Sequence, residues 1–123
     1  MNILIVEDDP VNRLVLTFFL EEKSQNVIVA ENGKEGLEVF NGKQDFDIII
    51  TDIMMPEIDG ISMAREIRNG KKHPEIPIIA ITAGGFKSSE IPDSPFSRLL
   101  SKPISLADLP QKMCELIGQG AIE

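Results

Sequence analysis

The chain has 123 residues, 42% of them apolar, with a formal net charge of −8. That is the size and apolar content of one folded domain with a single core, not of a disordered segment. The acidic balance disfavours direct binding to nucleic acid or to an anionic membrane, since both need a basic face.

Cys114 is the sole cysteine, which excludes an intrachain disulfide and a cysteine-based zinc site and fits a reducing, cytoplasmic compartment. The first residues lack a basic stretch, and no apolar run reaches roughly 18 residues, so neither a signal peptide nor a membrane span is expected. His73, the only histidine, stands beside Pro74 in a loop-like stretch and reads as an exposed loop residue.

In chain order, NILIV at residues 2–6 predicts a buried strand running into Glu7, Asp8 and Asp9. Pro10 opens a helix with Asp9 as its cap, because a missing N–H costs nothing at a first helical position. Val11, Leu14, Val15 and Phe18 recur at helical spacing and predict the face that packs on a sheet. A second strand is expected over residues 27–30, then a helix from Asn32-Gly33 carrying Leu37 and Phe40. The stretch DFDIIITDIMMPEIDG at residues 45–60 predicts a strand buried on both faces that ends on Asp52. Asp59 then caps a third helix, with Ile61, Ala64 and Ile67 inward and Gly70 as its stop. PIIAIT at 77–82 is a fourth buried strand, and residues 98–101 a short fifth, ending on Lys102-Pro103. Ser105 or Asp108 caps the last helix, and Pro110 favours the later cap because proline belongs in a first turn. Leu109, Met113, Leu116 and Ile117 form its apolar face.

Strand and helix alternate five times. That order implies an α/β fold, a parallel sheet with helices on both faces and right-handed crossovers. In a parallel sheet every strand ends at the same edge, where ligands bind. Glu7-Asp8, Asp52, Thr82 and Lys102 should therefore converge. Three carboxylates in one pocket repel one another and call for a proton or a cation, and an all-oxygen set favours Mg²⁺ or Mn²⁺. A hard cation, the Lys102 ammonium and the Thr82 hydroxyl together suit a phosphoryl group in transfer, with Asp52 as a nucleophile that forms an aspartyl phosphate. Each residue alone has a plain reading as a cap, a turn or a solvated loop. The joint occurrence at consecutive rim positions carries the argument.

ILIVEDDP, IIITDIMMPEIDG, IIAITA and LLSKP, in this order, resemble the CheY-like receiver domains of two-component response regulators, over nearly the whole chain. The resemblance implies a flavodoxin-like, doubly wound five-stranded sheet in the order 2-1-3-4-5 over residues 1–118, with 119–123 as a tail or linker remnant. It implies Asp52 as phosphoacceptor and Glu7, Asp8, Asp52 and the Met54 carbonyl as the Mg²⁺ site. Thr82 and Lys102 are implied as phosphate partners, with a cis bond before Pro103. The implied donor is a phosphohistidine on a sensor histidine kinase or a histidine phosphotransfer protein, followed by slow self-dephosphorylation and a change in binding to a downstream protein. Two departures stand out. Leu99 occupies the position where these domains usually carry a switch aromatic, and the short, proline-containing stretch 83–95 predicts an atypical or mobile fourth helix. A strand that begins at residue 2 and the lack of an output domain favour a stand-alone receiver or one cut from a larger regulator. The other readings are a degenerate receiver used only for docking and, less well matched, a Mg²⁺-dependent phosphohydrolase.

Overall fold

Five strands form one all-parallel sheet: β1 (Asn2–Val6), β2 (Asn26–Ala30), β3 (Ile48–Asp52), β4 (Ile78–Thr82) and β5 (Arg98–Ser101). Their order is β2-β1-β3-β4-β5, the order that the resemblance implies. The computed structural model describes residues 1–23, 26–55, 58–82, 91, 93–102 and 105–117. Among these residues four helices are seen: α1 (Pro10–Glu21), α2 (Gly33–Phe40), α3 (Gly60–Asn69) and α4 (Leu109–Ile117).

Alternation along the strands builds a core on each side of the sheet. Leu4, Val6, Ile49 and Ile78 pack with Phe40, Met63 and Ile67 on the α2/α3 side. Ile3, Ile5, Ile48, Ile50, Ile79 and Ile81 pack with Leu16, Leu20, Leu109 and Met113 on the α1/α4 side. All five residues of β3 and of β4 are buried, as their unbroken apolar runs require.

The helix starts follow the capping residues. Asp9 accepts the Val11 N–H at 3.0 Å, Asn32 accepts that of Glu35 at 2.8 Å and Asp59 accepts that of Ser62 at 2.8 Å. α4 begins directly after Asp108, whose carbonyl accepts the Lys112 N–H, so Pro110 lies in its first turn. His73 is exposed, in a turn, with φ 43°.

One expectation is overturned. The stripe Val11, Leu14, Val15 and Phe18 faces solvent, at 66%, 57%, 45% and 61% exposure, and α1 instead packs through Leu16 and Leu20. Both stripes have helical period, so periodicity alone could not orient the helix. The inward side also brings Arg13 to the end of β1, where its Nη1 donates to the Glu7 carbonyl at 2.9 Å.

The expected irregular fourth helix falls mostly on residues 83–90, outside the described residues, as do Pro103 and the tail. Residues 93–97, which are described, form no helix and lead straight into β5. No helix of the described residues is long and apolar enough to cross a membrane.

The orientation of α1 sets up a contrast. Leu20→Ala should cost about 2–5 kcal/mol in urea unfolding, as for a leucine removed from a packed core. Leu14→Ala should change stability by less than about 0.5 kcal/mol, as for an exposed helical site. The reverse pattern would restore the stripe expected from the sequence.

Candidate functional site

Glu7 and Asp8 leave the end of β1, and Asp52 is the last residue of β3. One carboxylate oxygen from each of the three lies within 4.8 Å of the others. Glu7 is 2% exposed and Asp52 8%, whereas Asp8 opens to solvent. Lys102, one residue past β5, bridges the two buried acids: its Nζ is 3.2 Å from Asp52 Oδ2 and 3.6 Å from Glu7 Oε1.

The backbone fixes these side chains from several directions. The Ile53 N–H donates to Asp52 Oδ1 at 2.8 Å, and the Asp9 N–H donates to Glu7 Oε2 at 3.2 Å. The Lys102 N–H donates to the Thr82 carbonyl at 2.8 Å, which ties the ends of β4 and β5 together. Thr82 itself is 2% exposed. Gly60 lets α3 start hard against β3. A Cβ there would lie 2.2 Å from the Asp52 carbonyl oxygen, while the Gly60 N–H donates to the Ile53 carbonyl at 2.9 Å.

The sheet edge thus gathers Glu7, Asp8 and Asp52 into one pocket, with Lys102 against Glu7 and Asp52 and with Thr82 at the neighbouring strand end. Met54 lies in the bend just after β3, its side chain 65% exposed. Sequence reasoning missed the Ile53 amide and Arg13. A backbone N–H has no sequence signal at all, and Arg13 read as a polar residue of an amphipathic helix.

A sequence model of the response regulator receiver domain matches residues 3–113. The chain belongs to that receiver family. It is 33% identical over 120 residues to hybrid signal transduction histidine kinase A of Dictyostelium discoideum, covering 94% of this chain but only 6% of that protein. A crystal structure of the receiver domain of a Pseudomonas aeruginosa sensor histidine kinase, with a magnesium ion in its active-site cleft, is 30% identical with a TM-score of 0.83. That match covers 94% of this chain and 96% of the other. The receiver domain of a Saccharomyces cerevisiae response regulator, solved in complex with a histidine phosphotransfer protein, is 26% identical with a TM-score of 0.84, over 95% of this chain and 88% of the other.

Charge is what sets this receiver's site apart from its core. Burial pushes the Glu7 carboxyl up to about 7, and the nearby Asp52 charge adds to that. The Asp9 N–H and Lys102 pull back without restoring the ordinary value. For Lys102, burial works against the ammonium, but the charges of Glu7 and Asp52 outweigh it and raise the amine. The three acids form an oxygen-only donor set, which fits a hard divalent cation such as Mg²⁺.

The Glu7 shift has a definite sign in stability. The native carboxyl holds a proton between pH 4.5 and about 7 that the unfolded chain has lost. The stabilisation is therefore complete below pH 4.5 and is lost as the pH rises through about 7. In metal-free buffer the unfolding free energy of the wild type, less that of Glu7→Gln, should fall by up to about 3 kcal/mol across this window. Urea unfolding at a series of pH values measures it, and a flat difference would show that Glu7 is ionised throughout.

Proposed function

We propose that Asp52 is the phosphoacceptor of a two-component phosphorelay. It takes its phosphoryl group from a phosphohistidine on a sensor histidine kinase or a histidine phosphotransfer protein. The observation that carries this reading is the shared ammonium: Lys102 touches both buried carboxylates of a three-acid pocket at one sheet edge. A structural ion pair needs one acid; this pocket holds an excess of negative charge around a nucleophile.

An oxygen of Asp52 attacks the phosphorus of the phosphohistidine. The P–O bond forms as the P–N bond breaks, and the electron pair stays on the imidazole nitrogen. Glu7, Asp8, Asp52 and the Met54 carbonyl would hold Mg²⁺ or Mn²⁺, which supplies charge neutralisation for the phosphoryl oxygens. Lys102 passes from the carboxylate to the phosphoryl group, and the Thr82 hydroxyl donates to it from the next strand end. Water later attacks the phosphorus and Asp52 leaves, so the chain restores its own resting state slowly. The single cysteine fits a reducing compartment, and the cytoplasm is our reading of where the chain works.

The outward stripe of α1 supports the choice of donor. Val11, three residues past Asp8, begins a row of four exposed apolar side chains, and Met54 is exposed in the bend after Asp52. Helix spacing in such a row suits a partner helix lying across the pocket mouth. A histidine carried on that helix would meet Asp52. This agrees with the yeast receiver, which was solved with a histidine phosphotransfer protein.

Two experiments test the proposal. Incubation with Mg²⁺ and acetyl phosphate should add one phosphoryl group by intact mass, and the gain should vanish without Mg²⁺ or in Asp52→Asn. No gain from acetyl phosphate or from any phosphohistidine donor would return the docking-module reading. Leu14→Ser should slow transfer from a phosphorylated histidine phosphotransfer protein by about tenfold or more, the scale of one lost apolar contact. The same variant should accept phosphate from acetyl phosphate at the wild-type rate. Equal slowing with both donors would remove the α1 face from donor binding.

A further inference from the structure

Ile53 joins the acceptor to a small apolar cluster that is separate from the two main cores. Its N–H holds Asp52 Oδ1, and its side chain is 1% exposed. Ala80 and Ile91 are buried against it, with Ile61, Phe96 and Leu99 packed around them. Among the described residues, Phe96 alone packs on both this cluster and the α2/α3 core.

The segment that carries this ring is held in an unusual way. Residues 93–96 lie in neither helix nor strand. Arg68, in the last turn of α3, grips the segment through Nε to the Pro95 carbonyl at 2.9 Å and Nη2 to Ser97 Oγ at 3.5 Å. Its Nη1 is anchored on the Pro74 carbonyl at 2.9 Å and the Ile76 carbonyl at 2.5 Å. Asp93 has φ 47°, a left-handed conformation that a non-glycine residue adopts at a cost. A cleft of about 530 Å³, lined by Arg65, Arg68, Asn69, Asp93, Ser94 and Pro95, opens beside the segment.

We infer that Phe96 is the ring through which the state of Asp52 reaches the 93–97 segment, an inference that rests on Asp52 being the phosphoacceptor. A phosphoryl group on Asp52 draws Lys102 off the carboxylate and alters the oxygen that the Ile53 N–H holds. Ile53 cannot shift alone, because a close-packed cluster has no slack. Ala80 is locked into a sheet ladder and Ile61 into a helix. Ile91 and Phe96 are the neighbours whose backbones are in neither, and of the two only Phe96 also packs on the α2/α3 core and follows directly on the residues that line the cleft. Packed groups of this kind switch between arrangements rather than deform smoothly. The Arg68 grip defines the resting arrangement, and the acceptor's change biases the other.

The chain contains no Trp and no Tyr, so Phe96→Trp carries its only indole. With Mg²⁺ and acetyl phosphate, its emission maximum should shift on the same time course as the gain of one phosphoryl group by intact mass. Adding Asp52→Asn should abolish both. Phe46→Trp, whose ring lies in the α2/α3 core, should keep its emission. Fluorine NMR of the unaltered chain labelled with para-fluorophenylalanine gives a second reading. Of its six phenylalanine signals, the one lost in Phe96→Leu should move on phosphorylation. A gain in mass with no change at residue 96 by either method overturns the inference, as does an equal shift at residue 46. No gain in mass overturns the assignment of Asp52, and the inference with it.

Discussion

Mutual repulsion among three carboxylates is the constraint on which the rest of this molecule depends. Glu7, Asp8 and Asp52 place their oxygens within 4.8 Å of one another, and two of them are buried. A fold tolerates that only if the charge is offset. Glu7 does so by holding its proton up to near-neutral pH, and Lys102 by dividing one ammonium between two acids. Both devices are reversible, which is what a site that gains and loses a phosphoryl group requires. An apolar pair in their place would pack more stably and do nothing.

The parallel sheet is the means of enforcing the crowding. Its strands end at one edge, so acids 44 or more positions apart in the chain meet only in the native state. The edge is then held from behind. Arg13 binds the carbonyl of Glu7, Gly60 allows α3 to start against the Asp52 carbonyl, and the Lys102 amide is tied to Thr82. None of these contacts touches a carboxylate oxygen, yet each limits where one can go.

Much of this was legible in the sequence because it is carried by strong, local signals. Unbroken runs such as IIIT and IIAIT leave a strand no polar face, Asp9, Asn32 and Asp59 mark helix starts, and the five strand–helix alternations fix the sheet as parallel. The rim residues followed from that edge. What failed was orientation. α1 carries two apolar stripes of the same period, and the choice between them was made by tertiary packing, through Leu16, Leu20 and Arg13. The Ile53 amide was illegible for a different reason: every residue but proline has one. Leu99 was noticed as a departure from the family pattern. Only the fold shows that it lies in register with Ala80, in the cluster next to Asp52.

Arg68 binds main-chain carbonyls at Pro74, Ile76 and Pro95, so its grip does not depend on which side chains those positions carry. The planar guanidinium fork reads backbone shape, and a lysine in its place could not span the same acceptors. Substitutions at 74, 76 or 95 therefore leave the acceptors of the grip in place so long as residue 68 stays arginine. Asp93, with φ 47°, and Ser94, whose Oγ accepts the Phe96 N–H at 3.3 Å, carry demands of their own. Of positions 68, 74, 76 and 95, residue 68 is thus the one whose side chain the grip itself requires.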